Sequence, residues 1–206
     1  VRYRADGQVC RKNDDEAGAW TAELTITDDE ITGNPILPAG LAREVAVTLP
    51  AAEWRQALAP GDPILNIHIP GGEPMDFERC GQSLRAVPEF FGRYYPERPF
   101  LGICCGSWIL NSAIQELLPD TSNLVRFQRE VYLFPIGLGD ETLPHAIFGG
   151  VPEDLSKAPR DTAFQRAYLD RELSGEPVVA GAGGCLFFPE DMNWGAQVYL
   201  NQEFPW

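Results

Sequence analysis

Between Asp62 and Leu110 the chain runs through a strand, a glycine turn, a helix and a second strand in under fifty residues. Ile64–Ile69 is apolar apart from Asn66 and His68 and reads as an interior strand. Gly71-Gly72-Glu73-Pro74-Met75 turns the chain, and Asp76 opens a helical run that reaches about Tyr95. Phe100–Cys105 is again strand-like. Two strands joined through a helix form a parallel pair, because parallel strands need a long crossover. The fold class is therefore α/β or α+β. Where such a strand meets its helix, free backbone N–H groups and the positive end of the helix dipole favour an anion. Gly71-Gly72 either cradles a phosphate or simply turns a corner.

The helix carries its own signals. Asp76 suits the N-cap, and Met75 can pack on Cys80 as a hydrophobic staple. Leu84, Val87, Phe91 and Tyr95 recur at helical spacing as an apolar stripe. Pro88 is expected to kink or divide the run.

Ahead of this unit, a short strand is expected near Val1–Arg4. Trp20, Ala22, Leu24 and Ile26 then alternate with polar residues as the buried face of one strand. A return strand starts near Ile31, and Gly33-Asn34-Pro35 forces a loop. Leu41 to Leu49 alternates again with Val45, Val47 and Leu49 inward, and Pro50 suits the start of a short helix carrying Trp54 and Leu58. Beyond the unit, Asn111–Leu118 reads as a short helix and Asn123–Pro135 as a long strand with a bulge. Residues 136–161, which hold His145, read as a long surface connection with room for a helical turn. Thr162–Leu173 is helical, capped by Asp161 or Thr162 and stopped by Gly175. Val178–Phe188 is a strand interrupted by Gly181, Gly183 and Gly184, and Ala196–Leu200 alternates once more.

Thirty acids against 16 bases give a net charge of −14, which disfavours nucleic acid and anionic membranes as partners. Five cysteines without zinc-ligand spacing, and only two histidines, point to free thiols, no metal and a reducing, cytoplasmic setting. No run reaches the length of a membrane span. The start at Val1 rather than Met suggests a missing upstream part.

Several residues invite chemical roles, each beside a plainer one. His68 can act as a general base near neutral pH or be a hydrogen-bonded core histidine. Cys104-Cys105-Gly106-Ser107 offers a thiolate nucleophile at Cys105 or an inert buried thiol. Ser107 is a proton donor or the N-cap of the next short helix. Arg126 and Arg129 can bind a carboxylate or phosphate of a ligand, or pair with the surplus acids.

Gly33-Asn-Pro-Ile36, Pro60-Gly-Asp-Pro-Ile-Leu-Asn-Ile-His-Ile-Pro70, Ser107-Trp108, Ser122-Asn-Leu-Val-Arg-Phe-Gln-Arg129 with Tyr132-Leu-Phe-Pro135, and Asp161-Thr162 with Gln165-Arg166-Ala167 follow in an order that resembles one family. It is the GNAT-like C-terminal domain of bacterial acyltransferase-type proteins, in which a helical domain precedes the GNAT-like one. The likeness runs from about residue 15 to the end and implies one GNAT-like domain over 1–206. It implies a mixed twisted sheet with helices on both faces, and no covalently bound cofactor. Acetyl-CoA or another acyl-CoA would be the donor and an amine the acceptor. The main chain of Ile67 and Ile69 would hold the pantetheine arm, Gly71 and Gly72 the pyrophosphate, and Cys105 would lie on the strand that splays away. His68 and Ser107 would be the catalytic residues. The turn differs from the family's pattern in having adjacent glycines, no base, and the acids Glu73 and Asp76. Ser107-Trp108 stands where many members place a tyrosine acid. A binding or scaffolding domain without CoA chemistry is the alternative.

Overall fold

A computed structural model of the chain describes residues 1–10, 17–70, 75–137, 142–176, 178 and 182–206. Its strands form three sheets. β1 (Arg2–Tyr3) pairs antiparallel with β2 (Trp20–Thr21), and the Tyr3 and Trp20 rings sit 5.0 Å apart. β3 (Leu24–Ile26), β4 (Glu30–Gly33) and β5 (Val47–Pro50) make an antiparallel meander. The main sheet holds β6 (Ile64–Asn66), β7 (Gly102–Ser107), β8 (Tyr132–Ile136) and β9 (Ala182–Phe187) in the order β6-β7-β9-β8. β6 and β7 are parallel and the other pairs antiparallel, so the sheet is mixed, and the fold is α+β.

The crossover helix α1 (Phe77–Tyr94) joins the parallel pair. Short helices α2 (Ile114–Leu117) and α3 (Asn123–Gln128) follow β7, then α4 (Thr142–Phe148), α5 (Ala163–Leu173) and α6 (Val198–Asn201). Registry places Ile103, Cys105, Leu133, Cys185 and Phe187 on one face of the sheet. They close with Leu84 of α1 and Phe127 of α3 into the main core. Leu143, Tyr168, Leu169 and Val178 form a second cluster, and Trp108 packs against both. Two glycines of β9 permit this closeness. A Cβ at Gly183 would fall 1.7 Å from the Leu110 carbonyl oxygen, and one at Gly184 would fall 2.2 Å from the Phe134 ring. Both act as close-approach positions rather than hinges.

Two of the anticipated helix caps form. Asp76 accepts the Arg79 N–H at 2.8 Å. Thr162 and Gln165 complete a reciprocal capping box on α5.

Other expectations are corrected. Trp20–Thr27 is two strands, because β2 pairs with β1 and β3 with β4, and the Asn34 side chain bonds Glu23 at the change of partner. Leu24 and Ile26 are 69% and 59% exposed, since β3 is the outer strand of the meander, away from the main core. β6 is an edge strand rather than an interior one, with Ile64 45% exposed. Pro50 ends β5, and no helix follows over 51–58; Leu58 instead packs, half-buried, beside the buried Gly102.

Asn123–Pro135 divides into α3 and β8. Leu124, Phe127 and Val131 are spaced by three and four, which is helical, and the two-residue period begins only after Val131. Helix α4 and a 3-10 turn at Leu155–Lys157 lie in what read as a surface connection. Val198–Asn201 is helical, entered through Gln197 at φ 50°. Pro88 does not divide α1, which runs through it while packing Leu84 and Val87 on the core. Among the described residues no helix is long and apolar enough to cross a membrane, and no group of His, Cys, Asp or Glu could hold a metal ion.

Candidate functional site

The parallel pair holds register for three residues, Ile64 with Gly102, Leu65 with Ile103 and Asn66 with Cys104. One further bond joins them, from the Ile67 N–H to the Cys104 carbonyl at 2.8 Å. Beyond it the strands part. β7 continues to Ser107 against β9 alone, while the chain from His68 to Pro70 leaves the ladder. Pro70, with no N–H to donate, limits how far a regular strand could run on past Ile69.

A cavity of about 140 Å³ lies between this departing stretch and α1. Ile67, His68, Ile69 and Pro70 form one wall. Cys80, Ser83 and Leu84, spaced three and one apart on α1, form another, with Met75 and Phe127 closing the ends. The lining is mainly apolar with few polar groups, as in pockets that hold small molecules. A hollow of about 220 Å³ lies elsewhere, lined by Arg4, Asp6, Glu116 and Arg171. Its arginines already face carboxylates, at 3.3 Å for Arg4–Asp6 and 2.9 Å for Arg171–Glu116. The smaller cavity is the better candidate, because its apolar wall is the stretch of chain that leaves the β6–β7 ladder.

Of the residues singled out in the sequence, Ile67, His68 and Ile69 line the cavity. The exposed His68 side chain makes no hydrogen bond or ion pair with any described residue. Cys105 points into the core, 5% exposed, and Ser107 ends β7 opposite Gly183; neither lines the cavity. Ser107 precedes a 3-10 turn at Trp108–Leu110 but its side chain makes no cap bond. Gly71, Gly72 and Glu73 lie outside the described residues. Burial pushes the Cys105 thiol above its ordinary range, with Cys104 adding to it. That opposes a thiolate nucleophile. Burial does the same to Cys80 beside the cavity, helped by the Asp76 carboxylate.

The sequence reading missed Cys80, Ser83, Leu84 and Phe127 as cavity residues. The first three were recoverable as neighbours on one face of the helix. Phe127 was hidden by reading α3 as a strand.

A family model described as the GNAT-like C-terminal domain matches residues 14–186. The chain belongs to the GNAT-like C-terminal domain family. No curated protein matches it significantly. Solved structures with a similar fold include an acyltransferase in complex with decanoyl-CoA, at 24% identity and a TM-score of 0.55, over 62% of this chain and 40% of that one. Another is an acyltransferase in complex with CoA and 10C-Teicoplanin, at 22% identity and a TM-score of 0.54, over 62% of this chain and 41% of that one. The GNAT-like chain thus spans about two fifths of the length of those acyltransferases. β6 and β7 are the two strands of the crossover unit read in the sequence, and their ladder ends with the bond between Ile67 and Cys104.

Proposed function

We propose that this domain carries the acyl-CoA site of an N-acyltransferase of GNAT type, passing an acyl group from the CoA thioester directly to an amine. The observation that carries the proposal is the end of the β6–β7 ladder beyond Ile67, with an apolar cavity between the freed stretch 67–70 and α1. Solved acyltransferases of similar fold contain CoA or decanoyl-CoA, which supports the same reading. Main-chain groups of Ile67 and Ile69, released from the ladder, would take the pantetheine amides as a replacement strand edge. Gly71 and Gly72 would face the pyrophosphate.

In the transfer step the amine nitrogen attacks the thioester carbonyl, a C–N bond forms and the C–S bond breaks. His68, or a water that it holds, takes the proton from the amine. The thiolate leaves and is protonated, with Ser107 the nearest side chain in sequence to the usual acid position. Holding both reactants in one cleft supplies much of the rate enhancement.

A second reading, a GNAT-like binding domain without CoA chemistry, is favoured by Asp76. Its carboxylate already takes the Arg79 N–H that an anion at this helix end would seek. Calorimetric titration with acetyl-CoA at low salt separates the two. The acyl-CoA reading expects saturable heat below millimolar ligand, and no heat at millimolar ligand selects the binding domain. Ser83 is exposed on the cavity wall, so Ser83→Trp is expected to fill the space without disturbing the core. It should weaken acetyl-CoA by about tenfold or more, the equivalent of losing roughly 1.4 kcal/mol, with an unchanged thermal midpoint.

A further inference from the structure

We infer that the acyl group taken at this site is an uncharged hydrocarbon chain of about six carbons, seated in the cavity between the stretch 67–70 and α1. The inference rests on the acyl-CoA reading above and adds which thioesters the site prefers.

The walls of the cavity decide its chemistry. Ile67 and Ile69 are both partly buried against the main core, as are Met75 and Cys80 on the opposite side. The buried Leu84 and Phe127 complete the lining. Among the described residues no Lys, Arg, Asp or Glu lines it. The Asp76 carboxylate, close by in sequence, accepts the Arg79 N–H at 2.8 Å. Burial, helped by that carboxylate, raises the Cys80 thiol and keeps it neutral. A second carboxylate on the acyl group, as in a succinyl thioester, would give up water here and meet no cationic partner, which is strongly unfavourable. A methyl or methylene group meets no such penalty.

The volume sets the length. An apolar cavity of about 150 Å³ accommodates a molecule the size of benzene, with about six carbons. This cavity, at about 140 Å³, is of that size. An acetyl group would leave most of it unfilled, and walls without partner atoms forfeit their dispersion contacts. A chain longer than about six carbons has to run out past the exposed Pro70 and Ser83, where further methylenes remain in water and contribute little. Another apolar hollow, of about 220 Å³, lies beside the β3–β5 meander and Trp206, and no residue of 67–70 or α1 lines it.

The test is calorimetric titration of the wild-type chain and of Ser83→Trp with CoA and with acetyl-, butyryl-, hexanoyl-, octanoyl- and succinyl-CoA. Wild-type affinity should rise about two- to fourfold per added carbon from acetyl to hexanoyl, and by about twofold or less in all from hexanoyl to octanoyl. Butyryl-CoA should bind about tenfold or more tighter than succinyl-CoA, which has an acyl group with the same number of carbons. In Ser83→Trp, with an indole in the cavity, the rise with chain length should flatten; general structural damage would weaken every thioester alike and keep the slope. An affinity independent of chain length, a rise undiminished to octanoyl, succinyl-CoA binding as well as butyryl-CoA, or an unaltered slope in Ser83→Trp would each overturn the inference. The last would send the chain elsewhere, with the hollow beside Trp206 the first place to look. All four results leave the acyl-CoA reading standing, because each requires that thioesters bind. If neither CoA nor any thioester binds, the acyl-CoA reading fails and the inference falls with it.

Discussion

Gly183→Ala is expected to leave the chain without its folded main sheet. The Leu110 carbonyl lies directly over Gly183, so a methyl group there would sit 1.7 Å from the Leu110 oxygen and 2.3 Å from its carbonyl carbon. A flexible side chain could yield, but these are backbone atoms. The buried Gln128 side chain also pins the segment, donating to the carbonyls of Ile109 at 2.7 Å and Asn111 at 3.0 Å. Relief would require opening β9 from β7 at the centre of the sheet. Overpacking ordinarily costs ~1–3 kcal/mol, and a backbone clash of this depth is expected to exceed ~4 kcal/mol, a large part of a domain's stability. Denaturant unfolding, or recovery of soluble protein where the variant fails to fold, measures it. Near-native stability of Gly183→Ala would contradict the described packing of β9 on the 108–111 turn.

The two glycines of α1 are expected to respond to alanine with opposite signs. A Cβ at Gly81 would lie 2.3 Å from the Trp194 indole. That ring cannot move away freely. Its Nε1–H donates to the Phe77 carbonyl at 3.0 Å, and the ring packs on Phe77 and Phe127 at 5.1 and 5.6 Å. Gly81→Ala should therefore destabilise by about 3 kcal/mol despite the better helix propensity of alanine. Gly92 has open space at its Cβ, and Gly92→Ala should stabilise by about 0.5–1 kcal/mol. In a Trp194→Ala background the clash disappears, and Gly81→Ala should become neutral or stabilising. This coupling is what a double-mutant cycle of thermal or denaturant unfolding reports. Equal costs of Gly81→Ala in the two backgrounds would mean that Trp194 does not seat against α1 as described.

The sequence conveyed the crossover unit because its signals are local. Asp76 caps α1, Leu84 and Val87 form its inner stripe, and Pro70 limits the run of β6, all within reach of one window. Thr162, one of the two caps read for it, announced α5 in the same way. The errors arose where tertiary partners decide. Leu24 and Ile26 alternate as a buried face should, yet their strand has nothing packed over most of it. Nothing in Ile64–Asn66 distinguishes an edge strand from an interior one, since that depends on which strands pair beside it. The run through Val131 changes period partway, and a single reading across it merged α3 with β8. That merger put Arg126 and Arg129 on a strand, where their different partners on a helix could not be foreseen. The cleft shows the same division. His68 and its neighbours were legible from the strand and its proline, whereas Phe127 reaches the site only through the packing of α3 beside α1.

The central claim, that acyl-CoA binds where β6 and β7 part, is tested most directly by amide hydrogen exchange with and without saturating acetyl-CoA. Slower exchange is predicted from Ile67 through Ile69 and across the first two turns of α1, with β8 and the β3–β5 meander unchanged. Protection confined to other regions, or none at a concentration that saturates any measured binding, would contradict it.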